Sequence, residues 1–356
     1  MNVLRFLRWM SEYDWSIRFY GPEDTRLHSK VKQLGFGTAT ISSNMKAGDL
    51  VNAWRLARII HRDNVRRLVV HQSRDIFMGV MACLFTGKRC RLIYSQHMHI
   101  GRDKHDLYHA WLYRQIDAMV TPVQWLADRV LEKTSVPATK LHVVTRGIEV
   151  NRFTLHKPNK SEARQRFDLS ADAIVIGLIG RLDPQKGQDI AIQALAQVHA
   201  AGHMAHMLIV GDQSFGEGDR YTERVHQLVK DLKLSEYVHF FPHQDKIEQV
   251  YAALDIFVLA SRSECYGMVT IEALVCGLPV IGTDDGGTIS LIDHGRNGLR
   301  VKPFDVEDLA SNLINLIEDK SLRERLSRTA LDESADKFNH HRQSQTWGKI
   351  LDSMDP

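Results

Sequence analysis

Short apolar runs alternate along the whole chain with segments in which apolar residues recur at helical spacing. This alternation predicts α/β architecture with parallel sheets, because the helices that connect parallel strands cover both faces of the sheet. The predicted strands are Ser16–Tyr20, Thr38–Ile41, Leu68–His71, Leu92–Tyr94, Ala118–Thr121 and Leu141–Val144 in the first half, and Ile174–Gly180, Met207–Gly211, Val238–Phe241, Ile256–Ala260, Val280–Thr283 and Gly298–Val301 in the second. The clearest predicted helices are Leu50–Asp63, Leu107–Gln115, Leu309–Ile317 and Asp336–Met354.

The most informative stretch runs from Ile256 to Val280 and reads as a strand, a loop, a short helix over Met268–Cys276 and a second strand. Glu264 lies in the loop and Glu272 about one turn inside the helix, roughly 6 Å further on at about 1.5 Å per residue. A helix N-terminus offers N–H groups and a partial positive charge, which suit a phosphate. The stretch therefore predicts a nucleotide site.

The length of 356 residues favours two domains over one. The stretch Thr154–Ser161 is polar, contains a proline and lacks periodicity, so it reads as a linker. Residues 1–14 read as a helix that precedes the first strand, and we expect that this domain lacks its first strand or that the numbered chain begins late. The predicted parts are a first domain over 1–153, a second over 154–335, and a C-terminal helix over 336–356 that packs back toward the first domain.

Composition and charge narrow the cellular setting. No apolar run approaches the roughly 18 to 20 residues that a membrane span needs, and the N-terminus lacks the apolar core of a secretory signal. The four cysteines form no CxxC pair, which favours free thiols in a reducing cytosol. Residues 1–150 hold 23 Lys and Arg against 13 Asp and Glu, and the remainder 23 against 30. The basic first half suits an anionic partner such as a membrane surface or a phosphorylated substrate, although solvated faces explain it equally well; no nucleic-acid-binding motif accompanies it.

Two further loops carry candidate chemistry. Gly180–Gly187 (GRLDPQKG) connects a predicted strand to a helix, and its Arg181 and Lys186 are suited to a diphosphate. It is not a Walker A loop, because GxxxxGK[ST] is absent. Gly286 and Gly287 follow another strand, where glycine lets a backbone approach a ligand closely. Taken alone, each loop is equally consistent with an ordinary structural turn.

The second half resembles the donor domain of retaining GT-B glycosyltransferases of the large family 4 type. The resemblance rests on IGLIGRLDPQKGQD, LIVGD, the run from VHFFPHQDK to VIGTDDGG, and GRNGLRV; it covers about residues 141–320 well and the first half loosely. It implies two Rossmann-like domains whose parallel sheets face a central cleft, with a nucleotide-sugar donor bound between them.

Carried over position by position, the resemblance implies that Arg181 and Lys186 bind the donor diphosphate and stabilise it as a leaving group. Glu272 would bind the ribose hydroxyls and Glu264 the donor sugar. The other positions that the resemblance implies around the donor are Gly180, Gly267, Met268, Val269, Gly286, Gly287 and, near the base, His243. In the first half, His97 resembles the histidine that the family places after a strand at the active site.

No metal site is predicted. No D-x-D triplet occurs, and His105 and His109 share a helical face without further ligands at a recognisable spacing. The nucleotide sugar is a co-substrate, and no other cofactor is expected. Three positions depart from the family pattern: the Gly-rich loop after the first strand is missing, Ser290 replaces a glutamate, and Arg146-Gly147 replaces Asn-Gly.

The resemblance therefore predicts a retaining glycosyltransferase that moves a sugar from a UDP- or GDP-sugar to a glycan or lipid-linked acceptor hydroxyl. We expect it in the cytoplasm, at the inner membrane face where it contacts anionic lipid. One alternative is a sugar-nucleotide binder that is inactive because the first strand and Gly-rich loop are missing. Another is a related phosphorylase or nucleotide-sugar epimerase, although no pyridoxal phosphate lysine is evident.

Overall fold

The computed structural model describes residues 2–13, 15–41, 48–154, 159–214 and 218–354. The chain divides into two compact units, the first comprising Met1–Gly147 with His340–Pro356 and the second Ile148–Asn339. Half of the predicted linker, residues 155–158, lies outside the described residues; Thr154 ends one helix and Lys160 begins the next.

The strands are all short, and each pairs in parallel with its neighbours in the sheet. They are β1 (Arg18–Gly21), β2 (Gly37–Thr40), β3 (Arg67–Val70), β4 (Arg91–Ser95), β5 (Ala118–Thr121), β6 (Leu141–Val143), β7 (Val175–Ile179), β8 (His206–Val210), β9 (Val238–Phe241), β10 (Ile256–Leu259), β11 (Val280–Thr283) and β12 (Leu299–Val301). Helices connect most of them. They are α1 (Asn2–Met10), α2 (Arg26–Gln33), α3 (Leu50–Arg62), α4 (Ile76–Phe85), α5 (Leu107–Arg114), α6 (Gln124–Lys133), α7 (Val150–Thr154), α8 (Lys160–Gln165), α9 (Gln188–Ala200), α10 (Gly218–Asp231), α11 (Ile247–Ala253), α12 (Met268–Val275), α13 (Val306–Glu318), α14 (Lys320–Lys337) and α15 (His340–Asp352).

The second unit contains one six-stranded parallel sheet with the order β12-β11-β10-β7-β8-β9. Every residue of β7, β10 and β11 is buried, as expected for central strands covered by helices on both faces. From β7 the chain adds β8 and β9 toward one edge of the sheet, and from β10 it adds β11 and β12 toward the other edge. The strand order therefore reverses between β7 and β10. In open α/β sheets, ligands bind beyond the carboxyl ends of the strands at such a switch point.

The first unit contains a four-stranded parallel sheet, β3-β4-β5-β6, and a separate parallel pair, β1-β2. Helices α1 and α15 pack together in one apolar cluster, in which Phe6 meets the Trp347 ring edge-on at 4.9 Å between centroids. The predicted single helix over Asp336–Met354 is wrong. Helix α14 ends at Lys337, Asn339 forms a bridge with Ile148, and α15 starts at His340.

The prediction of α/β architecture with parallel sheets in two domains is confirmed. The expectation that a first strand is missing stays a prediction.

Candidate functional site

The two loops at the switch point of the second unit hold a close ion pair. Lys186 follows β7 and Glu264 follows β10, and Lys186 Nζ lies 2.6 Å from Glu264 Oε2. The two side chains are 25% and 20% exposed, so the pair is accessible but largely desolvated. Gly180 lies beneath the lysine, because a Cβ built there would meet the Lys186 stem at 3.7 Å. The structure therefore brings these three predicted residues together at the carboxyl ends of adjacent strands.

Gly187 sets the distance between the two loops. Its backbone is left-handed, with φ of 67°, and a Cβ at this position would lie 2.1 Å from the carbonyl oxygen of Ala260. The Arg262 amide also donates to the Gln185 carbonyl at 2.9 Å. A side chain at 187 would force the loops apart, so glycine is needed to place Lys186 beside Glu264.

Helix α12 begins beside the ion pair and carries the second glutamate. Gly267 precedes it and provides no side-chain cap, and Met268 and Val269 form its first turn. Glu272 is only 8% exposed and accepts a hydrogen bond from the Tyr251 hydroxyl, at 2.9 Å to Oε2. Burial and the nearby glutamate raise the pKa of Tyr251 well above its ordinary value, so this hydroxyl remains a donor.

Gly286 and Gly287 pack against the backbone of the Glu264 loop. A Cβ on Gly286 would lie 2.4 Å from the Glu264 carbonyl oxygen, and one on Gly287 would lie 2.4 Å from that of Cys265. The Gly287 amide donates to the Glu264 carbonyl at 2.6 Å. Close approach of two loops thus already accounts for both glycines, whereas a contact with the donor stays a prediction.

Arg181 and His243 lie near the same sheet edge without joining the ion pair. The Arg181 side chain is 67% exposed and lies 3.9 Å from Asp183, whose pKa is lowered chiefly by a hydrogen bond from the Gln185 amide. The His243 amide donates to Asp212 Oδ1 at 2.9 Å, just beyond β9. Strand β9 is three positions from β10 in the sheet, or about 14 Å at about 4.8 Å per strand.

In the first unit, His97 belongs to a three-membered cluster at the ends of parallel strands. His97 follows β4 and His71 follows β3, and their rings are stacked with His71 Nδ1 3.0 Å from His97 Nε2. Arg146 Nη2 lies 2.5 Å from His97 Nδ1. Burial and then the nearby Arg146 lower the pKa of His71 to about 4 and that of His97 to about 3.

Sequence reasoning missed three of these partners. Tyr251 lies in a segment that reads as apolar helix, and nothing local reveals that its hydroxyl meets Glu272. The sequence pattern predicts His71 as the last residue of a strand. Arg146 had one signal, because it departs from the resembled family's motif.

His105 and His109 form local hydrogen bonds. His105 Nδ1 lies 2.9 Å from Asp103 Oδ1, and His109 Nδ1 lies 2.5 Å from Asp106 Oδ2. Among the described residues, Glu12, His340 and His341 are one group of three side chains whose ligand atoms lie within 4.8 Å of one another. Two of the three are exposed, and none belongs to the clusters above.

In the part of the chain that the structure describes, no helix is both long and apolar enough to span a bilayer.

Two family models match consecutive parts of the chain. Residues 3–152 match Glycosyltransferase Family 4, and residues 159–332 match Glycosyl transferases group 1. The chain is 30% identical over 244 residues to a D-inositol 3-phosphate glycosyltransferase of Stackebrandtia nassauensis, covering 67% of this chain and 53% of that protein. It is 30% identical over 260 residues to the mannosylfructose-phosphate synthase of Agrobacterium fabrum, covering 71% and 54%. The chain thus spans about half the length of the curated relatives it matches.

Solved structures establish the fold. A glycosyltransferase from Rickettsia africae superposes with a TM-score of 0.89 at 19% identity, covering 99% of this chain and 93% of that one. Anabaena Alr3699/HepE in complex with UDP superposes with a TM-score of 0.84 at 23% identity, covering 98% and 95%. Both halves of the chain are thus matched by glycosyltransferase family models, and the chain shares the GT-B fold with these structures.

Proposed function

We propose that the protein is a retaining glycosyltransferase that takes a hexose from a UDP- or GDP-sugar and transfers it to an acceptor hydroxyl. The observation that carries the proposal is the Lys186–Glu264 pair, 2.6 Å apart at the switch point of a parallel sheet. The names of the curated relatives, which are glycosyl-transferring enzymes, and UDP in the Anabaena structure support it.

The charges around the switch point suit the bond that breaks. In the transfer, the bond between the sugar C1 and the diphosphate oxygen breaks, and the acceptor oxygen bonds to C1. Negative charge then builds on the departing diphosphate, where Lys186, Arg181 and the first turn of α12 provide positive charge. The acceptor's proton passes to the leaving phosphate oxygen, so no side-chain base is required. This chemistry draws on no metal ion.

The buried glutamate suits the ribose. Glu272 is held by Tyr251 behind the first turn of α12, and a fixed carboxylate accepts two hydroxyl donors well. Glu264 is then left for the donor sugar, once the diphosphate has drawn Lys186 away from it.

We further propose that the acceptor is a glycan or a lipid-linked saccharide in cell-surface synthesis, reached from the cytoplasmic face of an anionic membrane. Helix α3 exposes Leu50, Val51 and Trp54, and Arg58 lies over the Trp54 ring at 4.9 Å. Exposed apolar and aromatic side chains beside arginines suit the headgroup region of an anionic bilayer.

Vesicle flotation tests the membrane contact. Binding to phosphatidylglycerol vesicles should exceed binding to phosphatidylcholine vesicles, fall with added salt, and weaken in Trp54→Ser. Exposed Trp111→Ser, on α5, is a matched control for loss of a tryptophan. Binding that ignores lipid charge and salt would refute the contact without touching the transferase proposal.

Donor turnover tests the function. Release of UDP or GDP from a panel of sugar nucleotides is measured with the wild type, Lys186→Ala and Glu272→Ala. We expect each variant to lower kcat/KM by about 100-fold or more, since each loses a charged contact to the donor. Equal rates in all three proteins would refute the proposal. Donor binding without transfer or hydrolysis by the wild type would instead favour an inactive sugar-nucleotide binder.

A further inference from the structure

Arg146, where the resembled family has asparagine, contacts a histidine pair in the first unit. The Arg146 guanidinium meets Nδ1 of His97, and Nε2 of the same ring meets Nδ1 of His71. His97 lies just after β4 and His71 just after β3, so adjacent parallel strands fix both backbones. Both ring nitrogens of His97 are therefore engaged by named partners.

The direction of these hydrogen bonds follows from the chemistry of the groups. A guanidinium has only N–H donors and keeps its proton in proteins, so Nδ1 of His97 must be the acceptor. A neutral imidazole that accepts through Nδ1 carries its proton on Nε2. His97 Nε2–H therefore donates to His71 Nδ1, and a neutral His71 carries its own proton on Nε2. The opposite arrangement would set an Nδ1–H of His97 against an N–H of Arg146.

The same contacts oppose protonation of either ring. A proton on His97 Nδ1 would replace the bond to Arg146 with a contact between two cations. A proton on His71 Nδ1 would remove the acceptor that His97 uses. The lowered pKa values of both histidines agree with this reasoning.

We infer that Arg146 and His71 are positioning residues that hold His97 as the neutral Nε2–H tautomer. The inference rests on the proposed function in one respect, namely that His97 meets substrate. There, His97 does not act as a base, because Arg146 occupies its one lone pair and its one N–H already donates to His71. A proton relay through His97 is thereby excluded from the transfer.

Side-chain ¹⁵N NMR on histidine-labelled protein tests the inference without any sugar nucleotide. The His97 signals are identified by their loss in His97→Gln. In the wild type we expect a protonated Nε2 and a bare Nδ1, unchanged from about pH 8 to about pH 5. In Arg146→Met, which lacks both donor and charge, the His97 pKa should rise toward its ordinary value of about 6.5. Arg146→Lys restores a cationic donor and should restore the wild-type pattern.

Arg129→Met is the matched control, since Arg129 is an arginine of the same unit paired with Glu132, and its His97 spectrum should not change. A wild-type His97 that carries its proton on Nδ1, or that titrates near pH 6.5, would overturn the inference even if every Arg146 variant failed to fold. The pH profile of kcat/KM adds a second readout: Arg146→Met should gain a titration limb that the wild type lacks. Absence of transferase activity would refute the proposed function alone and would leave the tautomer result standing.

Discussion

Replacing Glu264 with glutamine should tighten the binding of a nucleoside diphosphate while slowing sugar transfer. In the free protein Lys186 is held by Glu264 at 2.6 Å, and a diphosphate must compete with that carboxylate. At an effective dielectric constant of about 20, two such charges attract by about 6 kcal/mol before desolvation and side-chain ordering are subtracted. Because the pair is a quarter to a fifth exposed, about 1 kcal/mol of net stabilisation remains.

Loss of that competition converts to about a fivefold lower Kd for UDP or GDP, since about 1.4 kcal/mol is tenfold. Titration calorimetry with the wild type and Glu264→Gln measures it. Turnover of the sugar donor should fall by about tenfold or more, because the sugar loses a charged partner. Glu333→Gln removes a partly exposed carboxylate paired with Arg296 and serves as control. Unchanged or weaker diphosphate binding in Glu264→Gln would refute the reasoning that Lys186 exchanges one anion for the other.

Three further predictions follow from single contacts. Tyr251→Phe removes a donor to buried Glu272; urea unfolding should show a loss of about 1–3 kcal/mol, and the KM for the donor should rise. Gly187→Ala adds a Cβ that would lie 2.1 Å from the Ala260 carbonyl oxygen, so calorimetry should show a Tm lowered by several degrees for a cost of about 2 kcal/mol or more; a wild-type Tm would contradict the loop geometry. The pKa of His71 is about 4 in the folded protein and about 6.5 in the unfolded chain. Because the unfolded chain takes up the proton first, the contribution of neutral His71 to the free energy of unfolding is complete above about pH 6.5 and is lost as the pH drops toward 4. The loss is about 2 kcal/mol at pH 5. Urea unfolding of His71→Phe should therefore depend less on pH than that of the wild type.

The sequence predicts the second unit well because its central strands are buried on both faces. The bounds of central strand Val280–Thr283 agree with the structure, and so do those of Val238–Phe241, a partly buried strand at the edge of the sheet. The prediction of one continuous helix over Asp336–Met354 is wrong. Its break at Asn339 depends on pairing with Ile148, nearly two hundred residues away in the chain, which no local pattern records.

The candidate site shows the same division between local and distant causes. The proximity of Lys186 and Glu264 could be expected, because both follow strands of one parallel sheet. The hydrogen bond from Tyr251 to buried Glu272 could not be expected. Tyr251 lies on a different helix, and a pattern of apolar residues does not show where its hydroxyl points. In the sequence, Arg146 is only a departure from a motif; its bond to His97 forms when the ends of separate strands are brought together.

Calorimetric titration of UDP and GDP into the wild type and Lys186→Ala tests whether the carboxyl ends of β7 and β10 form a nucleotide-sugar donor site. We expect saturable binding of at least one of the two nucleotides to the wild type, weakened about tenfold or more in Lys186→Ala through loss of a charged hydrogen bond. Equal affinities in the two proteins, or binding of neither nucleotide to the wild type, would contradict it.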